Sequence, residues 1–389
     1  MRQSWRNGVA AERSPRREPW GQSRQQDEPQ RGGRTFLSPL RGFDSFHHQP
    51  TAHAVGYFRS LFRSLCLGSV KAFPVVALLL SFVCCVSAAE PGADKSTVFV
   101  VVGAAGEEEF GKQFAEWAER FEKLAGEAQA KLVPIGWKAT ETNDLARLKQ
   151  ALDAEPKEGA GKLWLVLLGH GTFDNKEARF NLRGPDLSAG DLAEWLKPFK
   201  RPVAVVNCAS GSGPWVNKLS APDRVVVTAT RSGSEVNFAR FGAHFSAAIG
   251  SPDADLDKDG QTSLLEAYLL ASNRVAEFYE TEGRLATEHP LLDDNGDGLG
   301  TPPDWFRGVR ATKKAKDGAS ADGLRAHQFV LVRSEQERKL PPAVRAKRDE
   351  LELRLGKLRD QKTELGEEKY YALLEPLLVE LARVYQRAK

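Results

Sequence analysis

The segment Leu163-Trp-Leu-Val-Leu-Leu-Gly-His170-Gly171 decides the fold class of this chain. Its apolar run stops at a histidine that is followed by glycine. A second apolar run, Val203-Ala-Val-Val-Asn-Cys208, stops in the same way at a cysteine. Short runs that are apolar throughout are typical of strands buried on both faces of a parallel sheet. Groups that follow such strands gather at the carboxyl edge of the sheet, so the sequence predicts that His170 and Cys208 share one crevice.

The two residues have complementary chemistry. The chain between them is long enough for a right-handed crossover that connects neighbouring parallel strands. A histidine beside a thiol can accept the thiol proton and later protonate a leaving amine. The sequence therefore predicts Cys208 as a nucleophile and His170 as its general base. The alternative is an inert core thiol, because free cysteine is among the most buried residue types.

At these residues the chain resembles the caspase-like (clan CD) cysteine peptidases. Asn207-Cys208-Ala-Ser-Gly-Ser212 is most similar to the legumain, or asparaginyl endopeptidase, family. The resemblance covers residues 97–251 and implies a caspase-like, mostly parallel sheet flanked by helices. It also implies a thioester intermediate, His170 as base, Cys208 as nucleophile, and an oxyanion hole made by the N–H groups of Gly171 and Cys208.

The resemblance leaves the third catalytic residue and the substrate preference open. Legumains orient the histidine with an asparagine near the end of the first strand, and residues 103–110 here contain no asparagine. Residues 231–235, after the next strand, are a candidate pocket wall. Of the other histidines, His244 falls in a helix, where a packing or surface role is expected. His289 precedes Pro290 in a loop. The residues next to His289 indicate that this loop lies beside a metal site, so His289 could help to shape the crevice.

Composition narrows the class of protein. Lysine and arginine number 55 against 52 aspartates and glutamates, but the first 89 residues are strongly basic and the remainder is mildly acidic. The remainder has no basic stripe with interleaved aromatic residues, which argues against a nucleic-acid partner. Three of the four cysteines, Cys66, Cys84 and Cys85, lie in or before an apolar N-terminal segment. Without that segment Cys208 is alone, so an internal disulfide is excluded.

The N-terminal part predicts export. Residues 70–89 have one positive charge, an apolar run and small residues at the end, the pattern of a short signal peptide that is cleaved after Ala88 or Ala89. We therefore expect a periplasmic or extracellular protein with no stable membrane span after cleavage, and the alternative is an uncleaved membrane anchor. Residues 1–69 have the composition of a disordered basic extension. Because they precede a complete signal, we expect translation to begin at Val70 and this extension not to be translated.

Loop 1 (residues 255–266) fills every position of an EF-hand loop. Its aspartates stand at positions one, three and five, a glycine follows at position six, and a glutamate closes the loop at position twelve. The sequence predicts Ca²⁺ ligands here, and the alternative is a solvated acidic turn. The predicted ligands are Asp255, Asp257, Asp259, Gln261 and Glu266.

Loop 2 (residues 293–304) repeats the pattern less completely. Asp293, Asn295 and Asp297 occupy positions one, three and five, and Asp304 stands at position twelve. Two prolines just before Asp304 preclude a normal exit helix, so we expect weaker binding or another geometry, with an Asx-rich turn as the alternative. The loops flank one helix and could clamp the region, in which case removal of the cation would loosen the crevice.

The remaining residues complete the predicted organisation. The sequence predicts a catalytic domain at 95–251, a calcium-binding region at 252–307, a linker at 308–340 with a strand-like stretch at 328–332, and a helical hairpin at 341–389. The hairpin is expected to break at Gly366 and to kink at Pro376. It could bind a partner or a second copy of the chain.

The sequence thus predicts an exported, calcium-stabilised cysteine endopeptidase of legumain-like type that acts on peptide or protein substrates. A transpeptidase is an alternative, because both activities share the acyl-enzyme. The other alternative is a catalytically silent calcium-binding envelope protein built on the same core.

Overall fold

A computed structural model of the chain describes residues 95–138, 143–318 and 320–387. The predictions for the basic extension, the signal peptide, its cleavage and the start of translation fall on residues 1–94 and lie outside the described residues. Within the described ranges, no helix has both the length and the apolar composition needed to cross a membrane.

A six-stranded sheet forms the centre of the molecule. Its strand order is β2-β1-β3-β7-β8-β9, and every neighbouring pair is parallel except β8 and β9. The mostly parallel sheet predicted from the apolar runs is therefore confirmed. The strands, with those of two small additional sheets, are β1 (Thr97–Val102), β2 (Lys131–Ile135), β3 (Leu163–Leu168), β4 (Gly171–Phe173), β5 (Ala178–Phe180), β6 (Leu187–Ser188), β7 (Val203–Asn207), β8 (Arg224–Thr228), β9 (Leu291–Asp293), β10 (Phe306–Arg307) and β11 (Arg310–Ala311).

Helices cover both faces of the sheet. All the α-helices of the described residues, including those of the C-terminal segment, are α1 (Glu108–Glu127), α2 (Asp144–Ala154), α3 (Ala189–Leu196), α4 (Pro214–Leu219), α5 (Phe241–Ala248), α6 (Leu264–Thr281), α7 (Leu324–Gln328), α8 (Glu335–Lys339), α9 (Pro342–Asp360), α10 (Lys362–Leu365) and α11 (Glu367–Arg387). Two of these helices begin at residues that are common helix caps. The Asn143 side chain accepts from Ala146 N–H at the start of α2, and the Ser188 side chain accepts from Asp191 N–H at the start of α3.

Alternate residues of each central strand point to opposite faces. One face, with Trp164, Val206 and Cys208 among its residues, packs against α1, α5 and α6. The other face, with Leu165 and Val205, packs against α2, α3 and α4. Because both faces are covered, β3 is apolar throughout and β7 is apolar up to its last residue, Asn207.

The predicted boundary between residues 95–251 and 252–307 does not correspond to separate folding units. Strand β9 comes from the second region and completes the sheet as an antiparallel partner of β8. Helix α6, also from that region, packs into the core that α1 and α5 form on the sheet. The region 252–307, which contains loops 1 and 2, is therefore part of the same core as the strands that end at His170 and Cys208.

The prediction of a linker at 308–340 with a strand at 328–332 was wrong. Helices α7 and α8 form there, and Val330 makes only an isolated bridge to Ser263. The physical reason is a cap from outside the segment. The Asp294 carboxylate accepts hydrogen bonds from the N–H groups of Gly323, Arg325 and Ala326, which fixes the first turn of α7.

The C-terminal helices form a hairpin with its own small core. Leu351 and Leu358 of α9 pack with Tyr370 and Leu377 of α11. The chain turns at Gly366, where φ is +74°. Pro376 lies inside one continuous helix, so the kink expected there does not divide α11. Association of this hairpin with a partner stays a prediction.

Candidate functional site

His170 and Cys208 lie at the carboxyl ends of two neighbouring parallel strands. β3 and β7 are in register with Leu167 opposite Asn207, so Cys208 follows at the level of Leu168. The Cys208 side chain belongs to the core cluster on the α1 and α5 face. The His170 ring contacts Phe110 and Phe114 of α1 on that same face, at centroid separations of 4.9 and 5.2 Å. The structure therefore brings both side chains to one end and one face of the sheet.

The aromatic cluster also connects their surroundings. Phe238 lies 5.9 Å from the His170 ring and 6.2 Å from the Trp117 ring. A Cβ atom on Gly242 would lie 2.7 Å from the Trp117 ring and 3.0 Å from Cys208 Cβ. Trp117 thus belongs both to the aromatic cluster around the imidazole and to the packing around the thiol.

A backbone carbonyl orients the imidazole. His170 Nε2 lies 3.2 Å from the carbonyl oxygen of Ala105, in the loop between β1 and α1. A carbonyl can only accept, so this hydrogen bond requires the proton on Nε2 and leaves Nδ1 of the neutral ring as its basic nitrogen. Residues 103–110, which lack asparagine, still supply an orienting group. Sequence reasoning missed it because every residue has a carbonyl.

The thiol is closed off in this state. Cys208 is only 1% exposed, and it is the one free cysteine among the described residues. Burial, followed by the negative charge of Glu288, raises the pKa of the Cys208 thiol far above its usual value. Glu288 is itself buried at the start of α5, where it accepts from the N–H groups of Arg240 and Phe241. This packing therefore disfavours the thiolate form of Cys208.

The oxyanion hole implied by the family resemblance is not formed here. Cys208 N–H donates to the Leu167 carbonyl at 3.0 Å, so it is used within the sheet. Gly171 N–H lies 3.4 Å from Ser210 Oγ, and that hydroxyl donates to the Gly171 carbonyl at 3.2 Å. Ser210 thus joins the two strand-end loops. The expectation of two available N–H donors is corrected for this state.

The loop after β8 packs against the loops that follow β3 and β7. A Cβ on Gly233 would lie within 2.6 Å of three atoms of the Phe173 ring, and Gly211 N–H donates to the Glu235 carbonyl. The Glu235 carboxylate accepts from Arg231 N–H at 2.9 Å and from His289 Nδ1 at 2.5 Å. Residues 231–235 therefore border the strand-end region.

The expectation for His289 changes in one respect. Its ring and its backbone N–H are both bound to Glu235, so it is attached to the strand-end loops rather than to a metal loop. His244 lies on α5, where burial, followed by the charges of Arg274 and Arg240, lowers its pKa. None of its hydrogen bonds among the described residues reaches Cys208.

Loop 1 brings its predicted carboxylates together. Ligand atoms of Asp255, Asp257 and Asp259 lie within 4.8 Å of one another, and a second group joins Asp257 and Glu266 to His327. The Gln261 side chain donates to Asp259 Oδ2 at 3.0 Å and accepts from Ser334 N–H at 3.2 Å. Its carbonyl is the group that position seven of an EF-hand loop uses.

His327 was not found by sequence reasoning. It stands on α7, and its Nε2 lies 3.3 Å from Asp257 Oδ2. Burial lowers the pKa of this imidazole, but the hydrogen bond that it donates to Asp257 and the charges of Asp257 and Glu266 outweigh burial and raise it. No sequence signal marks the residue, because it belongs to a helix in the segment that composition indicates as a linker.

Loop 2 is more deeply buried than loop 1. Asp293 and Asp294 are 1% and 3% exposed, and a further carboxylate, Asp322, is 4% exposed. Burial, with the neighbouring Asp294 as the next cause, raises the pKa of Asp322 to about 8. Asp304 lies exposed on the 3-10 turn Pro303–Trp305, and no hydrogen bond among the described residues connects its carboxylate to loop 2.

Both loops lie at the amino end of the sheet, away from His170 and Cys208. Asp293 of antiparallel β9 pairs with Val226 of β8, and Asn217 of α4 donates to the Gly298 carbonyl at 2.7 Å. A Cβ on Gly296 would lie 3.0 Å from Ala221 and Pro222, in the turn before β8. Near loop 1, Phe329 packs on Trp164, the second residue of β3. The loops therefore border the end of the strands opposite the crevice, and the clamp by a bound cation stays a prediction.

Comparisons with known proteins give little further information. No protein-family model matches the chain, and no curated relative matches it. Among solved structures, the chain is similar to the crystal structure of the Drosophila initiator caspase Dronc, at 13% sequence identity and a TM-score of 0.33. The match covers 52% of this chain and 80% of that chain. Similarity this low assigns neither a family nor an activity.

Proposed function

We propose that this chain is a caspase-like cysteine endopeptidase in which Cys208 is the nucleophile and His170 the general base. The observation that carries the proposal is the placement of both side chains at the ends of neighbouring parallel strands, on the same aromatic-covered face. A thiol and an imidazole oriented by a carbonyl are the groups that acyl transfer through sulfur needs. The legumain-like character rests on the Asn207–Ser212 motif.

The reaction proceeds by acyl transfer. Cys208 Sγ attacks the peptide carbonyl carbon, and its proton passes to His170, which then protonates the departing amine. The resulting thioester is cleaved by water, which restores the thiol. An amine acceptor in place of water would give transpeptidation through the same intermediate.

The closed thiol makes opening a part of this mechanism. Cys208 N–H is held by Leu167, and Phe238 and Trp117 cover the site. Substrate binding or processing has to shift this cover before a thiolate can form, because burial disfavours the charged state. A neutral, buried thiol in the free protein would also protect an exported enzyme from oxidation.

The proposal includes Ca²⁺ and export. Calcium prefers many hard oxygen ligands, which the converging carboxylates of loop 1 offer. At the amino end of the sheet the ion would stabilise the fold rather than take part in the chemistry. Export rests on the signal-like residues 70–89, and the expected substrates are peptides or proteins.

A second candidate is supported by one specific observation. The burial of Cys208 and the raised pKa of its thiol are what an inert core cysteine would show. On that interpretation the protein is a calcium-binding envelope protein with a silent caspase-like core. The two candidates differ in whether His170 affects any reaction of the thiol.

Turnover of a fluorogenic peptide library, with sequencing of the products, tests the first candidate. We expect His170→Ala to lower kcat/KM by about 10²–10⁴-fold, the usual contribution of a general base, and Cys208→Ala to abolish turnover. The matched control is His244→Ala, which removes another partly buried histidine from the same face. It should keep the rate within about threefold, a change of less than 1 kcal/mol.

Two results would reject the peptidase. One is turnover that survives in Cys208→Ala, which would assign the activity to another group or to a contaminant. The other is the absence of turnover for every peptide, including after limited proteolysis to open the site, which favours the silent calcium-binding protein.

A further inference from the structure

Loop 1 is closed by one carboxylate that makes a specific set of hydrogen bonds. Glu266 Oε1 accepts from the N–H groups of Leu256, at position two, and Asp257, at position three, at 2.8 and 3.4 Å. Glu266 Oε2 accepts from the hydroxyl of Ser263, at position nine, at 2.7 Å. Glu266, at position twelve, thus links the start of loop 1 to position nine through hydrogen bonds alone.

Loop 2 has the same closure, made by a residue far outside the loop. Asp322 Oδ1 accepts from the N–H groups of Asp294, at position two, and Asn295, at position three, at 2.9 and 3.1 Å. Asp322 Oδ2 accepts from the hydroxyl of Thr301, at position nine, at 2.6 Å. Each hydrogen bond has its counterpart at the same loop position in loop 1.

The backbone conformation of the two loops agrees as well. Positions four and six have positive φ in both: Lys258 and Gly260 at +61° and +82° in loop 1, Gly296 and Gly298 at +83° and +75° in loop 2. In both, the residue at position three accepts from the N–H of position five, and the residue at position five accepts from the N–H of position seven. Loop 2 therefore has the conformation of loop 1 even though its twelfth residue is displaced.

A second, independent observation concerns the buried carboxylate at position one of loop 2, which lies beside the Ser220 hydroxyl. Asp293, at position one, is 1% exposed, and its Oδ1 has no hydrogen-bond partner in the described part of the chain. No lysine or arginine among the described residues forms an ion pair with Asp293, Asp294 or Asp322. A buried carboxylate oxygen without a partner is costly, and a cation bound in the loop would satisfy it.

We propose that loop 2 is a discontinuous calcium site in which Asp322, and not Asp304, is the closing carboxylate. The other side-chain ligands are Asp293, Asn295 and Asp297, and the position-seven carbonyl belongs to Leu299. The site connects the edge strand β9 to the segment that precedes α7. It deepens the calcium part of the proposed function and is independent of peptidase activity.

Calorimetric titration of the full chain with CaCl₂ tests the proposal. The background is Asp257→Asn with Asp259→Asn, which removes two accessible carboxylates of loop 1 and leaves loop 2 intact. In this background we expect one remaining calcium per chain. Adding Asp322→Asn should weaken calcium binding to this background chain. Loss of a residue that only supports a metal ligand typically costs about 10- to 100-fold in affinity, and the loss here should be larger.

Asp304→Asn is the matched control, since it makes the same isosteric change at the position that sequence spacing favours. It should leave the remaining affinity unchanged within about twofold, or about 0.4 kcal/mol. The proposal is overturned if Asp304→Asn abolishes binding while Asp322→Asn keeps it. It is also overturned if the background chain binds no calcium.

Hydrogen exchange on the background chain provides a measurement that does not depend on Asp322→Asn folding. Calcium should slow exchange by at least about tenfold, or about 1.4 kcal/mol, both in loop 2 and in peptides covering residues 320–326. Protection confined to residues 293–306 would contradict a ligand at Asp322. A chain that binds calcium in this way but cleaves no peptide would reject the peptidase and keep this site, so the two failures are distinguishable.

Discussion

The two ends of the central sheet are built from opposite chemistry. At the carboxyl end, His170 and Cys208 lie among aromatic rings, and the side-chain nitrogen of Asn207 has no partner in the described residues. At the amino end, the buried Glu155 carboxylate binds Arg201 at 2.9 Å and Lys131 at 2.8 Å. Loops 1 and 2 lie at this same end.

The difference indicates a division of roles. The buried Glu155 carboxylate, with Thr97, Lys131 and Arg201, holds the amino ends of β1, β2 and β7 together, so that end should dominate stability. At the carboxyl end the thiol itself lies in an apolar cluster, and the ion pair of Glu235 with His289 lies in the bordering loops. Changes at one end should therefore alter stability, and changes at the other should alter the chemistry.

The largest effect on stability is expected from Glu155→Gln. The change leaves Arg201, which is 4% exposed, without its carboxylate partner, and removing one member of a buried ion pair costs about 3–5 kcal/mol. Denaturant unfolding measures it. The matched control is Glu158→Gln, which removes the exposed ion pair with Lys200 and should change stability by about 0–1 kcal/mol. Equal effects in both variants would remove the distinction between the two ends.

The same residue gives a pH dependence of known sign. Burial alone would raise the pKa of Glu155, but hydrogen bonds from Lys131 and Thr97 and the charges of Lys131 and Arg201 lower it below 4.5. The carboxylate therefore contributes stability that is present above about pH 4.5 and is lost as the pH falls through the lower folded-state pKa. We expect part of the acid destabilisation of the native chain to be missing in Glu155→Gln. If stability falls at acid pH as much in Glu155→Gln as in the native chain, this role of Glu155 is contradicted.

Calcium removal should have the next largest effect, and it should affect stability alone. An ion held at 100 times its dissociation constant stabilises the folded state by about 2.7 kcal/mol, which is about 4–5 °C in Tm for a folded part of this size. Scanning calorimetry with and without chelator measures the shift. Peptide turnover well below the transition should be unchanged, because the loops lie at the other end of the sheet. Lost turnover in a fully folded, chelated protein would support the predicted clamp on the crevice.

A smaller effect is expected at Gly242, which packs beside the thiol. Its substitution by alanine would place a Cβ 2.7 Å from Trp117 and 3.0 Å from Cys208 Cβ, and such overpacking costs about 1–3 kcal/mol. Gly126→Ala is the control, since no atom lies within 4 Å of its added Cβ and it should stabilise α1 by about 0.5–1 kcal/mol. If Gly242→Ala is as well tolerated as Gly126→Ala, the packing around Cys208 is looser than described.

Much of the fold follows from local sequence pattern. The apolar runs that end at His170 and Cys208 predict neighbouring buried strands, because a strand covered on both faces must be apolar at every position. The pattern of loop 1 is equally clear in the sequence, since all its predicted ligands lie within residues 255–266. Residue type and spacing were sufficient wherever the relevant groups are close in sequence or stand at strand ends.

The remaining features depend on groups that sequence spacing does not relate. The Ala105 carbonyl carries no residue signature, and Asp322 closes loop 2 from well beyond its twelfth position. β9 is only three residues long and antiparallel, so it was not recognised as part of the sheet. The burial of Cys208 arises from Trp117 and Gly242, which come from different helices and meet only in the folded chain.

The central claim is that His170 activates Cys208, and covalent capture tests it most directly. The native chain is treated with a peptide library that carries a thiol-directed acyl electrophile, and the modified peptide is identified by mass. The account predicts labelling at Cys208 in the native chain and in His244→Ala, with a rate at least about 10²-fold lower in His170→Ala. Equal rates in His170→Ala, or labelling of Cys208 only after denaturation, would contradict it.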